Sequence, residues 1–242
     1  EAVRLSPRER RHIEKVLRLG SGDAIEIFDG SGAGARATLV AHPDGGLAAR
    51  VNDVFPRIAT SLSRVTAVCA LIKGDRQFEV VEKLVEIGIC EIFLFRADRS
   101  IRRPGPELAK RIADHAAAAA KQCGRADLPR VEVASDLDAA LGCLENPRGF
   151  VFERSESVRF SASDVDQTVN LAFVVGPEGG LTDSEIRTAI GRGFEPRSLP
   201  LPVLRADTAA VACASLLIFA AADRDRPGEP VEKKTEEAKI LS

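Results

Sequence analysis

The clearest ligand-contacting chemistry in this sequence lies in the turn Gly176-Pro-Glu-Gly-Gly. Pro177 fixes its own φ and removes a backbone donor, whereas Gly179 and Gly180 tolerate positive φ and let a ligand lie close to the main chain. We therefore interpret the turn as a ligand-contacting loop. An ordinary strand-to-helix turn remains the alternative, because a glycine pair alone is a weak signal.

The residues on either side of this turn predict the elements that position it. Leu171 to Val175 is an unbroken apolar run, typical of a strand that is buried on both faces of a parallel sheet. Thr182 and Glu185 have the spacing of a capping box, which places a helix start at Asp183. Open α/β sheets bind ligands in such loops, at the carboxyl ends of their strands.

A second pair of chemistry-bearing side chains, Arg205 and Asp207, precedes a long apolar run that predicts a helix ending near Ala222. An arginine placed there could stabilise a developing anion, and a carboxylate could orient it. The alternative is structural, since Asp207 could cap the helix N-terminus and pair with Arg205.

Composition limits the classes of partner. The 242 residues include 34 Lys and Arg against 36 Asp and Glu, so nucleic-acid contacts would have to come from local basic patches. No apolar run reaches membrane-spanning length and no signal-peptide core is evident, so we expect a cytoplasmic protein without a membrane partner. The five cysteines and three histidines are scattered singly, which predicts no metal site and reduced, mostly buried thiols.

The pattern of apolar residues divides the chain into three parts. Residues 1–62 predict a small β-rich unit that opens with a helix from Ser6 and continues with strands at 24–28, 35–41 and 47–54. Residues 63–226 alternate strand and helix, which predicts an α/β unit with a mostly parallel sheet. Its expected strands lie at 65–72, 90–95, 131–133, 149–152, 171–175 and 197–199. Residues 227–242 are rich in Pro, Gly, Glu and Lys and predict a frayed tail.

Two further patterns are candidate binding sites, a basic helix face and a glycine-rich run. The first helix carries Arg8, Arg11, Lys15 and Arg18, which could be a phosphate-contacting patch, although spacing alone favours a solvated face. The run Gly30-Ser-Gly-Ala-Gly resembles a fragment of a dinucleotide-binding loop, but a strand pattern follows it where a helix would be needed. We therefore reject a Rossmann site there.

Two motifs together resemble the paired signature of the SPOUT methyltransferases that methylate uridine N3 in 16S ribosomal RNA. They are Val175-Gly-Pro-Glu-Gly-Gly-Leu-Thr-Asp-Ser-Glu and Leu204-Arg-Ala-Asp-Thr-Ala. The resemblance extends over His12 to Gly30, Lys73-Gly-Asp-Arg, Glu86-Ile-Gly-Ile, Arg99-Ser100 and Gln122-Cys-Gly-Arg, and so over nearly the whole chain apart from the tail.

The chain departs from the family pattern at three positions. It has Pro200, Pro202 and Asp207 where the family usually has Gly, Arg and Glu. The prolines stiffen the loop and remove donors, and Asp207 keeps the carboxylate with a shorter reach.

The resemblance implies a fold and a cofactor. The fold is a SPOUT-type α/β domain whose parallel sheet ends in a C-terminal trefoil knot, joined to a small N-terminal PUA-like β-barrel. The implied cofactor is S-adenosylmethionine, bound among the knot loops, and the domain is expected to form a homodimer through the knot region. The implied partner is 16S ribosomal RNA, either free or within the small ribosomal subunit.

The site residues are predicted partly from position and partly from the resemblance. Because Arg205 and Asp207 form a charge pair beside both motifs, we predict that Arg205 contacts a uracil carbonyl and that Asp207 orients Arg205 or accepts the proton through water, with Glu178 as the competing carboxylate. The implied cofactor-binding residues are Val175, Gly176, Pro177, Glu178, Gly179, Gly180, Leu199, Pro200, Leu201, Val203, Leu204 and Ala209. We also predict an RNA-binding surface formed by Arg8, Arg11, Lys15, Arg18, Arg99, Arg102, Gln122 and Arg125.

Two other functions compete with a methyltransferase. The first is an RNA-binding module that keeps the fold without its chemistry, for which the proline replacements are the support. The second is a nucleotide-dependent α/β enzyme, which lacks both Gly-x-x-x-x-Gly-Lys and a Gly-x-Gly-x-x-Gly run before a helix.

Overall fold

The computed structural model describes residues 2–43, 45–56, 65–154, 156–165 and 170–222 of the chain. Over these residues the backbone separates into two compact units, one built from the described residues of 2–56 together with 120–128, and the other from those of 65–119 and 129–222. The expected boundary between residues 62 and 63 and the expected tail at 227–242 lie outside the described residues.

The first unit contains a four-stranded antiparallel sheet in the order β1-β4-β3-β2. Its strands are β1 Ala2–Arg4, β2 Ala24–Phe28, β3 Ala33–Ala41 and β4 Leu47–Pro56. A small core forms where alternate strand residues meet the first helical segment, and it includes Ile13, Ile25, Leu39 and Ala49. The three strands expected here are confirmed, with β3 and β4 each two residues longer than expected.

The first helix is shorter than the sequence predicts. Helix α1, Pro7–His12, begins at a capping box in which Ser6 Oγ accepts from Glu9 N and Glu9 Oε2 accepts from Ser6 N. The next segment, Ile13–Leu17, is π-helical. This segment ends at Arg18, whose φ is +56°. The expected basic residues are therefore divided between two helical geometries.

The second unit is an α/β fold around a six-stranded parallel sheet in the order β10-β8-β9-β5-β6-β7. The strands are β5 Val65–Ala70, β6 Glu91–Phe95, β7 Arg130–Ala134, β8 Arg148–Phe152, β9 Leu171–Val175 and β10 Phe194–Arg197. The helices are α2 Arg76–Ile87, α3 Pro106–Gln122, α4 Leu137–Gly142, α5 Asp183–Gly191 and α6 Ala206–Ala222. The predicted parallel sheet is confirmed.

The bounds of the last strand differ from those expected. The sequence places it at 197–199, whereas it spans Phe194–Arg197 beside β8. Ser198 N donates to Val158 O, and Ser198 O accepts from Phe160 N. At Ser198 the chain therefore leaves β8 and pairs with the segment around Val158 to Phe160. Similarly, β5 ends at Ala70, two residues earlier than expected.

The core of the second unit lies at its central strands. Every residue of β5 and β9 is buried, and Phe93, Phe150 and Phe173 are fully enclosed. Among the described residues, no helix is long and apolar enough to span a bilayer.

The five cysteines are reduced, but the expectation that they are mostly buried is wrong. Cys69 and Cys213 are buried, whereas Cys143 is exposed and the other two are half-buried. Burial raises the pKa of the Cys69 thiol to about 12, because the low-dielectric core disfavours a thiolate.

Candidate active site

Three loops meet at the carboxyl edge of the parallel sheet. They follow β9, β5 and β6, which are adjacent strands in that order. We name them the glycine loop, residues 176–182, the β5 loop, residues 71–75, and the β6 loop, residues 96–105. Since parallel strands end at the same edge, the loops form one surface where α/β sheets commonly bind ligands.

The glycine loop is tightly packed around its small residues. A methyl group added at Gly176 would lie 2.9 Å from Leu181 Cγ and 3.0 Å from Leu181 N. Gly180 has a φ of +72° and donates to Pro177 O at 2.9 Å. Of the two glycines that tolerate positive φ, only Gly180 adopts it; at Gly179 the Arg99 stem lies close to the position that a side chain would occupy.

The predicted capping box is confirmed and fixes the far end of the glycine loop. Thr182 N donates to Glu185 Oε2 at 2.7 Å, and Glu185 N donates to Thr182 Oγ1 at 3.3 Å. Glu185 is buried, and its second carboxylate oxygen accepts from Asp98 N at 3.0 Å. The start of α5 is thereby tied to the β6 loop.

The β6 loop carries Arg99 and Arg102, and both guanidinium groups bind main-chain carbonyls of neighbouring loops. Arg99 Nη1 donates to Gly179 O at 2.8 Å and to Leu181 O at 3.2 Å. Arg102 Nη1 donates to Gly74 O at 2.5 Å. The sequence interpretation placed both arginines on an RNA-binding surface and missed these contacts.

The expected catalytic pair comes together at the start of α6. Arg205 Nη2 lies 3.5 Å from Asp207 Oδ2, with the Arg205 side chain 62% exposed and that of Asp207 23% exposed. A third residue, Arg76, approaches the same carboxylate oxygen at 3.8 Å. Sequence reasoning did not assign Arg76, although it stands in the Lys73-Gly-Asp-Arg motif at the start of α2.

The segment from Leu199 to Leu204, between β10 and α6, presents apolar side chains to solvent. Leu201 and Val203 are exposed, with Val203 at 72%, although apolar groups of this size are usually buried. Because β10 is also parallel, this segment starts from the same edge of the sheet as the three loops. This edge of the sheet thus brings together the glycine loop, exposed apolar side chains and the Arg205–Asp207 pair.

The expected RNA-binding residues of the first unit have different surroundings. Arg8, Arg11, Lys15, Arg18 and Gln122 are exposed. Arg125 is only 4% exposed, and its guanidinium pairs with Asp127, which corrects its expected place on an open basic surface. A buried charge requires such a partner, because burial without one is costly.

Comparison with known proteins identifies the family. A family model described as an RNA methyltransferase domain matches residues 60–218. The ribosomal RNA small subunit methyltransferase E of Synechocystis sp. is 30% identical over 214 residues, covering 86% of this chain and 69% of that protein. This chain belongs to the ribosomal RNA small subunit methyltransferase E family. The family predicted from the sequence motifs is therefore confirmed.

Solved structures agree with membership of the methyltransferase E family. A ribosomal RNA small subunit methyltransferase E from Neisseria gonorrhoeae, bound to S-adenosyl methionine, superposes with a TM-score of 0.81 at 26% identity, covering 89% of this chain and 90% of that one. A Legionella pneumophila protein in complex with the bound cofactor SAM gives a TM-score of 0.82 at 27% identity, covering 91% and 92%. Both are similar to this chain over nearly its whole length.

Proposed function

We propose that this protein is an S-adenosylmethionine-dependent methyltransferase that modifies N3 of a uridine in 16S ribosomal RNA. The observation that carries the proposal is the edge of the sheet, where the glycine loop and the Arg205–Asp207 pair occur together in a methyltransferase E fold. A ribosomal RNA substrate implies a cytoplasmic place of action. The finer architecture, a trefoil knot at this edge and a PUA-like barrel around the four-stranded sheet, is part of the proposal.

The residues at this edge suit the proposed cofactor. Among the described atoms outside its chain neighbours, a methyl group added at Gly180 would come within 4 Å of Arg99 Nη1 alone, at 3.8 Å, and Glu178 and Gly179 beside it are exposed. Leu201 and Val203 supply exposed apolar surface for an adenine ring. When bound, S-adenosylmethionine supplies an electrophilic methyl group on a sulfonium. The residues proposed to hold it are those from Val175 to Gly180, together with Leu199, Pro200, Leu201, Val203, Leu204 and Ala209.

The chemistry requires a deprotonated uracil. N3 carries an imide proton, and its lone pair becomes a competent nucleophile only when that proton leaves. We assign Arg205 to a uracil carbonyl, where its guanidinium stabilises the developing imide anion. Its high exposure leaves it accessible to a base that has been flipped out of its stack.

Asp207 has the role of orienting Arg205. Its Oδ2 lies within 4 Å of two guanidinium groups, 3.5 Å from Arg205 Nη2 and 3.8 Å from Arg76 Nη1. This arrangement favours orientation over proton acceptance through water. Glu178 is the competing carboxylate; it is exposed, and Lys73 N donates to its Oε1 at 3.4 Å.

Isothermal titration with S-adenosylmethionine and its demethylated product tests this function. A methyltransferase binds both, whereas an RNA-binding module without methyltransferase chemistry has no reason to hold either. Absence of heat with both compounds, from protein that still binds 16S ribosomal RNA, would leave the RNA-binding module as the function.

We also propose that the exposed basic residues of the first unit capture the RNA. Arg8, Arg11 and Lys15 are exposed on or next to α1, and removal of one phosphate-binding charge should lower the salt slope of RNA binding by about one. Alanine at any one of them should therefore weaken RNA binding and flatten its salt dependence. RNA titrations at several salt concentrations measure this slope.

The control for these variants is Lys110→Ala, which removes an exposed charge on α3 that is paired with Asp114. It should leave the salt slope unchanged, and every variant should bind S-adenosylmethionine normally. An unchanged slope in all three test variants would identify the basic residues as a solvated face.

A homodimer formed through α6 is a further part of the proposal. The helix is apolar around its circumference, and Phe219 is 68% exposed with Leu216 beside it at the surface. A second copy of the chain would cover this face. Light scattering should give a dimer at micromolar concentration, and Phe219→Asp should shift it towards monomer, while Lys110→Ala should not. A fully active wild-type monomer would contradict the dimer.

A further inference from the structure

Arg99 joins two loops of the candidate active site through a single nitrogen. Its Nη1 donates to Gly179 O and to Leu181 O, which lie on either side of Gly180. Hydrogen bonds from a charged group are stronger than those between neutral groups. The guanidinium therefore holds the curvature of the glycine loop at the residue with positive φ.

The aliphatic stem of Arg99 adds a packing contact to these hydrogen bonds. A methyl group added at Gly179 would lie 3.2 Å from Arg99 Cβ and 3.4 Å from its Cδ. Glycine at 179 thus makes room for this side chain. The close approach that the glycine permits is made here by a residue of the chain itself.

The backbone around Arg99 is fixed on both sides. Asp98 N donates to the buried carboxylate of Glu185, and Thr182 Oγ1 lies 3.3 Å from Asp98 Oδ2. Ser100 Oγ donates to Leu71 O at 2.9 Å and accepts from Ala97 N at 3.2 Å. Arg99 is therefore anchored to the ends of both β5 and α5 before any ligand binds.

We propose that Arg99 is a positioning residue that shapes the glycine loop for the cofactor, where the sequence had suggested a contact with RNA phosphate. The inference rests on the proposed function, because the loop is assigned to S-adenosylmethionine there. Arg99 stabilises the loop in its binding conformation, so less ordering remains to be done when the cofactor arrives.

Titration with S-adenosylmethionine and backbone hydrogen exchange test this role. Arg99→Ala removes both hydrogen bonds and the stem, so the Kd for S-adenosylmethionine should rise about tenfold or more. Arg99→Lys keeps the charge and one donor direction and should fall between wild type and Arg99→Ala. In steady-state kinetics the KM for the cofactor should rise more than kcat falls. In cofactor-free protein, amides of residues 176–182 should exchange faster in Arg99→Ala.

The matched control is Arg103→Ala in the same loop. Arg103 is exposed, and its side chain makes no hydrogen bond or ion pair with another described residue. Its removal should leave both cofactor affinity and exchange of residues 176–182 at wild-type values. If Arg99→Ala does not fold, Arg99→Lys and Gly179→Ala carry the test, since the added methyl group displaces the Arg99 stem and should also weaken cofactor binding.

A role of Arg99 in RNA binding would give a different set of results. Unchanged cofactor affinity and exchange in Arg99→Ala, with a salt slope for RNA binding lowered by about one, would overturn the positioning role and return Arg99 to the RNA surface. If wild-type protein binds no S-adenosylmethionine, the proposed function fails. Even in that case, faster amide exchange of residues 176–182 in Arg99→Ala would support the role of Arg99 in positioning the glycine loop. Unchanged exchange would overturn that role.

Discussion

Arg205→Ala is expected to reduce kcat about a hundredfold or more, in line with removal of one preorganised donor to a developing anion. Affinity for S-adenosylmethionine should survive, because the guanidinium is exposed and, among the described residues, it pairs with Asp207. Single-turnover kinetics with saturating cofactor, together with cofactor titration, separate the two quantities.

Arg187→Ala is the charge-matched control for this prediction. Arg187 is exposed on α5, and its side chain makes no hydrogen bond or ion pair within the described part of the chain. It should keep wild-type turnover. If cofactor affinity and turnover fell to the same extent in Arg205→Ala, Arg205 would be a structural residue of the segment before α6.

Gly176→Ala is expected to weaken S-adenosylmethionine binding more than tenfold and to lower the free energy of unfolding by about 1–3 kcal/mol, the usual cost of overpacking. The added methyl group would lie 3.0 Å from the backbone nitrogen of Leu181, so the loop itself has to move. Calorimetric titration and thermal unfolding measure both effects.

Gly191→Ala is the matched glycine control. It lies at the end of α5, and a methyl group there meets no described atom within 4 Å. Affinity should stay within about twofold of wild type, and stability should be equal or slightly higher, because alanine favours helix over glycine. Normal affinity and stability in Gly176→Ala would show that the glycine loop tolerates a side chain and is not closely packed.

The strand, turn and helix from Leu171 to Gly191 could be predicted almost residue by residue. Each signal there is local: an unbroken apolar run, a turn of Gly and Pro, and a capping box between Thr182 and Glu185. Such signals do not depend on how distant segments pack. The same is true of the parallel sheet, since alternating strands and helices require it.

The contacts of Arg99 could not be predicted from local pattern, because they depend on the order of strands in the sheet. β6 lies one strand away from β9, with β5 between them, and residues 99 and 179 are 80 positions apart. The burial of Arg125 depends similarly on its packing within the first unit and on the nearby Asp127. Arginine-rich segments were therefore assigned to RNA, although Arg99, Arg102 and Arg125 make contacts within the fold.

Mass spectrometry of 16S ribosomal RNA, after incubation with the purified protein and S-adenosylmethionine, tests the proposed methyltransferase function directly. RNA should come from cells that lack the gene, both free and within the small subunit. We expect one added methyl group, on N3 of a single uridine, in at least one of the two forms, and a rate of methylation at least about a hundredfold lower with Arg205→Ala. No methyl group on 16S ribosomal RNA in either form, from protein that binds the cofactor, would contradict the proposed function.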